Sequence, residues 1–214
     1  GFDDSAWNAA AVYDAGGAEL IAQMNEPIRI TQQLRPIAVT EPTPGAYVFD
    51  LGQNMVGWCR LKVRGQAGRE ITLRHAEVLN SDGAIYTDNL RSARQMDRYI
   101  CRGDREEIWE PRFTYHGFRY VEVTGLDYKP DVAVLTGLVL HSDTPPAGRF
   151  ECSSPLLNQL MQNIVWTQRS NTHSVPTDCP QRDERLGWTG DILAFAQTAC
   201  FNMDMAAFYR KWLL

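Results

Sequence analysis

The hydrophobic period changes once along this chain, near residue 143, and that change limits the fold more than any other feature. Before it, short β-branched or aromatic runs follow one another: "AYVFDLG", "CRLKVRG", "EITLRHAEVL", "RQMDRYICRG", "FRYVEVTGL" and "VAVLTGLVLHS". Turn-forming segments separate them: "TPGA", "GQAG", "NSDGA", "RGD" and "GLDYKPD". Leu61-Lys62-Val63-Arg64 and Tyr120-Val121-Glu122-Val123-Thr124 alternate apolar with polar, the pattern of a strand with one buried face. Many short strands with tight turns predict an antiparallel β-sandwich over residues 28–143. Residues 1–27 do not join this pattern and read as the tail of a preceding β-domain or as a linker.

"SDTPPAGRF" is a linker by composition, and after it the period becomes helical. Ser153 or Ser154 can cap, Pro155 suits a first helical position, and Leu156, Leu157, Leu160, Met161, Ile164 and Val165 fall on one face. The spacing predicts a helix over 155–170 that fades near Asn171. A second helix starts near Thr189 or Asp191 and runs through "ILAFAQTACF"; a third starts near Asp204 and includes "MAAFYRKWLL". Two or three amphipathic helices cannot cover their own apolar faces. Residues 144–214 therefore read as the truncated opening of a larger helical domain, with self-association through exposed helices as an expectation.

Composition excludes several classes. A net charge of −5 argues against a nucleic-acid partner, because neutralising phosphates needs a basic face. No apolar run approaches the roughly 18–20 residues that span a bilayer, so no membrane partner is expected. Five widely spaced cysteines without a CxxC, and four scattered histidines, give neither a disulfide framework nor a metal site. No cofactor is implied. Free thiols fit a reducing, cytoplasmic compartment.

Between the first two helices lies "DCPQRDERLGWTGD", which places four carboxylates and two arginines in fourteen residues beside Trp188. Glycoside hydrolysis needs an acid for the leaving oxygen, a second carboxylate, donors for sugar hydroxyls and an aromatic wall. Asp178, Arg182, Asp183, Glu184, Arg185, Trp188 and Asp191 supply these types. A helical turn from Glu184 would bring Trp188 and Asp191 to one side, although Gly187 and Gly190 oppose an unbroken helix. Crowded carboxylates and a desolvating indole would raise the pKa of one acid. The same residue types also make surface salt bridges, and Asp191 also suits a helix cap.

Other conspicuous residues have plainer readings. Asp50, Gln53 and Asn54 shape a turn, and His116-Gly117 is a turn with a satisfied histidine. Trp58, Phe113, Tyr115, Phe118 and Tyr120 belong to the sandwich core and edges, and Trp166, Tyr209 and Trp212 pack between helices. Cys179 lacks the neighbouring base that a nucleophilic thiol requires.

"PTDCPQRDERLGWTGD" resembles the signature of the α-L-rhamnosidases of glycoside hydrolase family 78. "GFDDSAW", "YVFDLGQNMVGW", "LRHAEVLNSDGAIYTDNLR", "FTYHGFRYVEV" and "GRFECSSPLLNQL" are similar to that family too, so the resemblance covers nearly the whole chain. It implies a β-sandwich followed by the start of an (α/α)6 barrel. It implies that Glu184 is the general acid, that Asp178, Arg182 and Asp191 hold the sugar, and that Trp188 forms its aromatic wall. Asp183 and Arg185 read as supports of the loop. The family inverts configuration, and the resemblance places its general base beyond residue 214, which would leave this chain inactive alone. A rhamnose-containing glycoside is the implied partner. The rival classes are a non-catalytic carbohydrate-binding or interaction module, and a glycosidase of another sugar specificity.

Overall fold

One strand organises the first part of the molecule. In the computed structural model, which describes residues 3–14, 16–103 and 105–214, β3 (Ala46–Val63) runs for 18 residues and changes partners along its length. Its first part pairs with β2 (Ala38–Thr43) on one side and β7 (His116–Thr124) on the other. A bulge between Asp50 and Met55 follows, and from Gly57 to Leu61 the strand pairs with β8 (Leu135–Ser142). Its last three residues pair with β6 (Glu107–Trp109). Beyond β8 lies β1 (Ile28–Leu34), and beyond β7 lie β4 (Glu70–Ala76) and β5 (Met96–Ile100). Gly1 and Phe2, which open "GFDDSAW", and Asp104, which closes "RGD", lie outside the described residues, as does Ala15.

The strand pairings join these eight strands, all antiparallel, into one curled sheet. The expected antiparallel β-domain is thus a single sheet curled on itself. "AYVFDLG" and "CRLKVRG" are a single strand, because the irregularity between them is a bulge rather than a chain reversal. A bulge increases local twist and bends the strand, which lets one sheet wrap round its own core. Gly57 permits the change of partner. Its φ is +149°, and a Cβ there would lie 1.9 Å from the Leu138 carbonyl oxygen of β8. Phe49, Leu61, Ile71, Leu73, Phe118, Val121 and Val123 are fully buried inside the curl. Each contributes on the order of 1.5–3 kcal/mol by leaving water.

α1 (Pro155–Ser170) begins and ends where the spacing predicts, with Pro155 in the first turn and Asn171 at the C-cap. Ser154 sits at the N-cap without a side-chain bond. Asn158 closes the turn instead: its Oδ1 accepts from Cys152 N at 2.9 Å and its Nδ2 donates to Cys152 O at 2.8 Å. Trp166 packs against the sheet core, not between helices as expected. α2 (Thr189–Asn202) and α3 (Ala206–Leu213) share a small core of Ala199, Met203, Met205 and Phe208. Buried Gln168 of α1 ties the helices together, donating to Ala199 O at 3.1 Å and accepting from Asn202 Nδ2 at 2.9 Å.

Cover is incomplete on the helical side. Leu156, Leu160 and Leu193 are 78%, 52% and 87% exposed, whereas Ile164, Phe195 and Trp212 are partly buried. No helix among the described residues is long and apolar enough to cross a membrane. A small hairpin, β9 (Thr172–His173) and β10 (Val175–Pro176), follows α1. Its Ser174 N donates to Ser142 Oγ at the end of β8, at 2.9 Å. From α3, Lys211 Nζ donates to Ser174 O at 2.8 Å.

Candidate active site

Residues 178–188 form an irregular loop held from three directions. It lies directly on β7: a Cβ at Gly117 would meet Gln181 N and Pro180 Cγ at 3.0 Å. His116 and Gly117 therefore sit inside a strand, not in the expected turn. From the segment before β7, Tyr115 O accepts from Arg185 Nη1 at 3.0 Å, and the guanidinium stands 4.3 Å from the Tyr115 ring centroid. From the turn that follows the 3-10 segment Asp88–Leu90, Ser92 Oγ donates to the Asp183 carboxylate and Arg91 Nη1 donates to Glu184 Oε2 at 3.3 Å. From α3, Trp212 closes on Gly187, where a Cβ would lie 2.7 Å from the indole Nε1. Trp212 thus packs on the loop, which corrects its assignment to a helix–helix contact.

Within the loop, Glu184 is the hub. Its Oε1 accepts from Trp188 Nε1 at 3.1 Å, and its Oε2 accepts from Arg182 Nη2 at 3.2 Å and from Arg91. Its side chain retains 26% of its surface, so the carboxylate is oriented yet reachable. No helical turn brings these groups together. The loop stays irregular up to α2, and Trp188 is the N-cap residue of that helix. The indole meets Glu184 through its N–H, as a hydrogen-bond donor.

Asp178 is tied to the same loop: Oδ1 accepts from Leu186 N at 2.9 Å and Oδ2 from Cys179 Sγ at 3.1 Å. Burial raises the Asp178 carboxyl, but the bonds from Cys179 and Leu186 outweigh it and leave the group below its ordinary pKa. The rise expected for one acid of the loop is therefore not at Asp178. Burial and the Asp178 carboxylate push the Cys179 thiol up, which disfavours a nucleophilic thiolate. The donor atoms of Asp178, Cys179 and Glu184 lie within 4.8 Å of one another, close enough to be considered for a metal, but those of Asp178 and Glu184 already accept hydrogen bonds.

Asp191 stands apart. It lies exposed in the first turn of α2, three residues beyond the cap position, where a carboxylate complements the helix dipole. With Asp178 it lines a cavity of about 320 Å³ between the end of α1 and the two later helices. The structure therefore joins Arg182, Glu184 and Trp188 directly, brings Asp178 close to Glu184, and places Asp191 with Asp178 on the lining of one cavity. Arg91, Ser92 and Tyr115 were missed as site-building residues. The sequence signals were that Arg91 ends "LRHAEVLNSDGAIYTDNLR" and that Tyr115 lies in "FTYHGFRYVEV".

Elsewhere, Asp50 forms a bidentate pair with Arg119, both contacts at 2.8 Å, and accepts from Gly52 N at 2.7 Å. Asn54 donates to Glu77, so Asp50 and Asn54 are both tied down at the β3 bulge. Phe113 is not a core residue: it is fully exposed and has a left-handed φ of +58°. A second group of possible metal donors, His75, Asp97 and His116, lies on the strands β4, β5 and β7, with both histidines buried. His75 and His116 stack at 4.1 Å with an interplanar angle of 18°. Near-parallel rings aim their lone pairs along similar planes rather than at one ion, which fits the tetrahedral geometry of zinc poorly.

Residues 40–141 match the model of the bacterial α-L-rhamnosidase concanavalin-like domain. Residues 145–214 match that of the bacterial α-L-rhamnosidase 6 hairpin glycosidase domain. The curled sheet and the helices thus each match a domain model of one glycosidase family. The chain belongs to the bacterial α-L-rhamnosidase family. It is 56% identical over 215 residues to an α-L-rhamnosidase of Streptomyces avermitilis, covering 100% of this chain and 21% of that protein. An α-L-rhamnosidase of Formosa agariphila is 42% identical, with 99% of this chain and 23% of the relative covered. The crystal structure of the Streptomyces avermitilis enzyme complexed with L-rhamnose superposes with a TM-score of 0.94, over 100% of this chain and 21% of that one. The α-L-rhamnosidase from Dictyoglumus thermophilum, 47% identical, also gives 0.94, over 99% of this chain and 24% of that one. The chain spans about a fifth to a quarter of the length of these relatives.

Proposed function

We propose that the chain forms part of an inverting α-L-rhamnosidase that hydrolyses terminal α-L-rhamnosyl residues from glycosides or polysaccharides. In this reading residues 28–143 are its β-domain and residues 144–214 begin an (α/α)6 barrel. The observation that supports it best is the hub at Glu184: a reachable carboxyl, oriented by Trp188 and Arg182, in a loop that rests on the sheet. Glu184 delivers its proton to the glycosidic oxygen as the bond to the anomeric carbon breaks. A water activated by a second carboxylate attacks that carbon from the opposite face. Inversion needs the two carboxyls roughly 6.5–9.5 Å apart, and the base belongs to a part of the barrel beyond residue 214. The chain alone is then inactive. Asp178, Arg182, Trp188 and Asp191 bind the rhamnosyl unit, with Asp178 and Asp191 facing one cavity.

The test is Glu184→Gln in a polypeptide that includes the remaining barrel. Hydrolysis of poorly activated rhamnosides falls by about 10²–10⁴, the usual contribution of a positioned acid. An acidic phenol needs less help to leave, so its release falls less. Equal losses on both leaving groups would make Glu184 a binding residue and sink the assignment.

A further inference from the structure

A wide cleft of about 1320 Å³ opens in the β-domain where β6 leads into β7. Trp58, Trp109, Glu110, Arg112, Phe113 and Tyr115 are among its walls. Its aromatic groups are held in place. Trp109 stacks on Tyr99 at 5.2 Å, and Trp58 donates its indole N–H to Glu110 Oε2 at 3.2 Å. The other Glu110 oxygen accepts from Arg60 Nε at 2.5 Å, so this carboxylate is fixed beside an indole. Phe113 stands wholly in solvent with a left-handed backbone. A bulky residue rarely adopts that region, and where one does the strain is found mostly at functional sites.

The lining reaches towards the loop through His173, which is only 6% exposed. His173 stacks on Tyr115 at 4.2 Å, and Tyr115 is the residue on which Arg185 of the Glu184 loop rests. The cleft and the candidate active site therefore share a wall. Asp97 and Glu110 offset Arg98 and Arg112 along the lining, which suits a neutral, polyhydroxylated ligand better than an anion. Aromatic faces cover the apolar faces of sugar rings, while the carboxylates and guanidiniums take their hydroxyls. The volume exceeds the roughly 300–1,000 Å³ of a site for one drug-sized molecule, leaving room for several sugar units.

We propose that this cleft is a second carbohydrate subsite, which holds the neutral saccharide chain carrying the terminal rhamnose. The identity of that terminal sugar rests on the function proposed above; the cleft's preference for a saccharide does not. The test is to titrate the chain with methyl α-L-rhamnoside and with a rhamnose-terminated tetrasaccharide of neutral sugars, following the indole N–H signals of Trp58, Trp109 and Trp188 by NMR. The tetrasaccharide shifts Trp58 and Trp109. Phe113→Ala, which removes a side chain that supports no packing, weakens its affinity fivefold or more, as does Glu110→Gln. If Trp58 and Trp109 stay still with the tetrasaccharide, or Phe113→Ala binds it unchanged, the cleft is not a subsite and the aromatic surface serves to pack protein. Trp188 reports separately on the rhamnose reading: silence there with both sugars would count against that reading, whatever the cleft does.

Discussion

The curled sheet and the helices that follow it bury their apolar side chains very differently. The sheet closes on a core of sixteen buried residues, drawn mostly from strands far apart in the chain. The helices share four, and Leu156, Leu193 and Phe201 remain largely in water. The loop between them inherits its order from the better-packed side. Tyr115, Gly117, Arg91 and Ser92 hold it from the β-domain, while α3 adds Trp212. Glu184 thus lies in a loop held by the β-domain, even though the helices leave apolar side chains in water.

The comparison breaks or sharpens first at Gly57. Gly57→Ala drives a Cβ into the Leu138 carbonyl at a φ that other residues avoid, so β3 cannot change partners. The loss should exceed about 4 kcal/mol, the range of exceptional single substitutions. A variant with a near-normal urea midpoint would show that the curl does not depend on this crossing.

Next come two fully buried phenylalanines, Phe118 in β7 and Phe208 in α3. Phe118→Ala should cost about 3–5 kcal/mol because the closed core cannot collapse round the cavity. Phe208→Ala should cost less, since the open helical side can relax. Equal losses in urea titrations would mean that the helices are as self-sufficient as the sheet.

Acid should weaken both regions through histidines. Burial, with His116 beside it, pulls His75 in the sheet down to about 3, and burial with His141 nearby pulls His173 at the seam down to about 4. Both values lie below the unfolded value of about 6.5, so the unfolded chain binds the proton first. The stability is fully present above pH 6.5 and is lost as pH falls towards 4 and then 3. By pH 4.5 each histidine should remove on the order of 2 kcal/mol. Glu107, lowered to about 2 chiefly by the Tyr99 hydroxyl, acts mainly below that pH. Urea midpoints that stay level between pH 7 and 4.5 would contradict the burial of both rings. The smallest effect is at Leu193, 87% exposed on α2. Leu193→Ser should change stability by no more than about 0.5 kcal/mol. A larger loss by thermal melting would reveal cover from another chain copy.

Much of this was legible in local pattern. α1 was readable from Pro155, the leucine spacing and Asn171, since helix period and termination act over a few residues. β1, β2 and β6 fell outside the six strand runs. β1 is exposed along six of its seven residues, Pro42 interrupts β2, and β6 has only three residues. Edge and short strands bury little, so they carry little alternation. Phe113 misled for the opposite reason: an aromatic residue type says nothing of a left-handed backbone that turns it into water.

The sequence by itself determined the change from strands to helices, the bounds of α1, and a loop dense in carboxylates, arginines and an indole. Only the tertiary structure decided that the strands make one curled sheet, that Trp188 meets Glu184 through its N–H, and that Asp191 and Asp178 line one cavity. It also brought Arg91 to Glu184, 93 positions away. The division has a physical cause. Periodicity, caps and turns are set by neighbours along the chain. Which strand β3 pairs with, and which distant donor reaches a carboxylate, depends on long-range packing that leaves no local repeat.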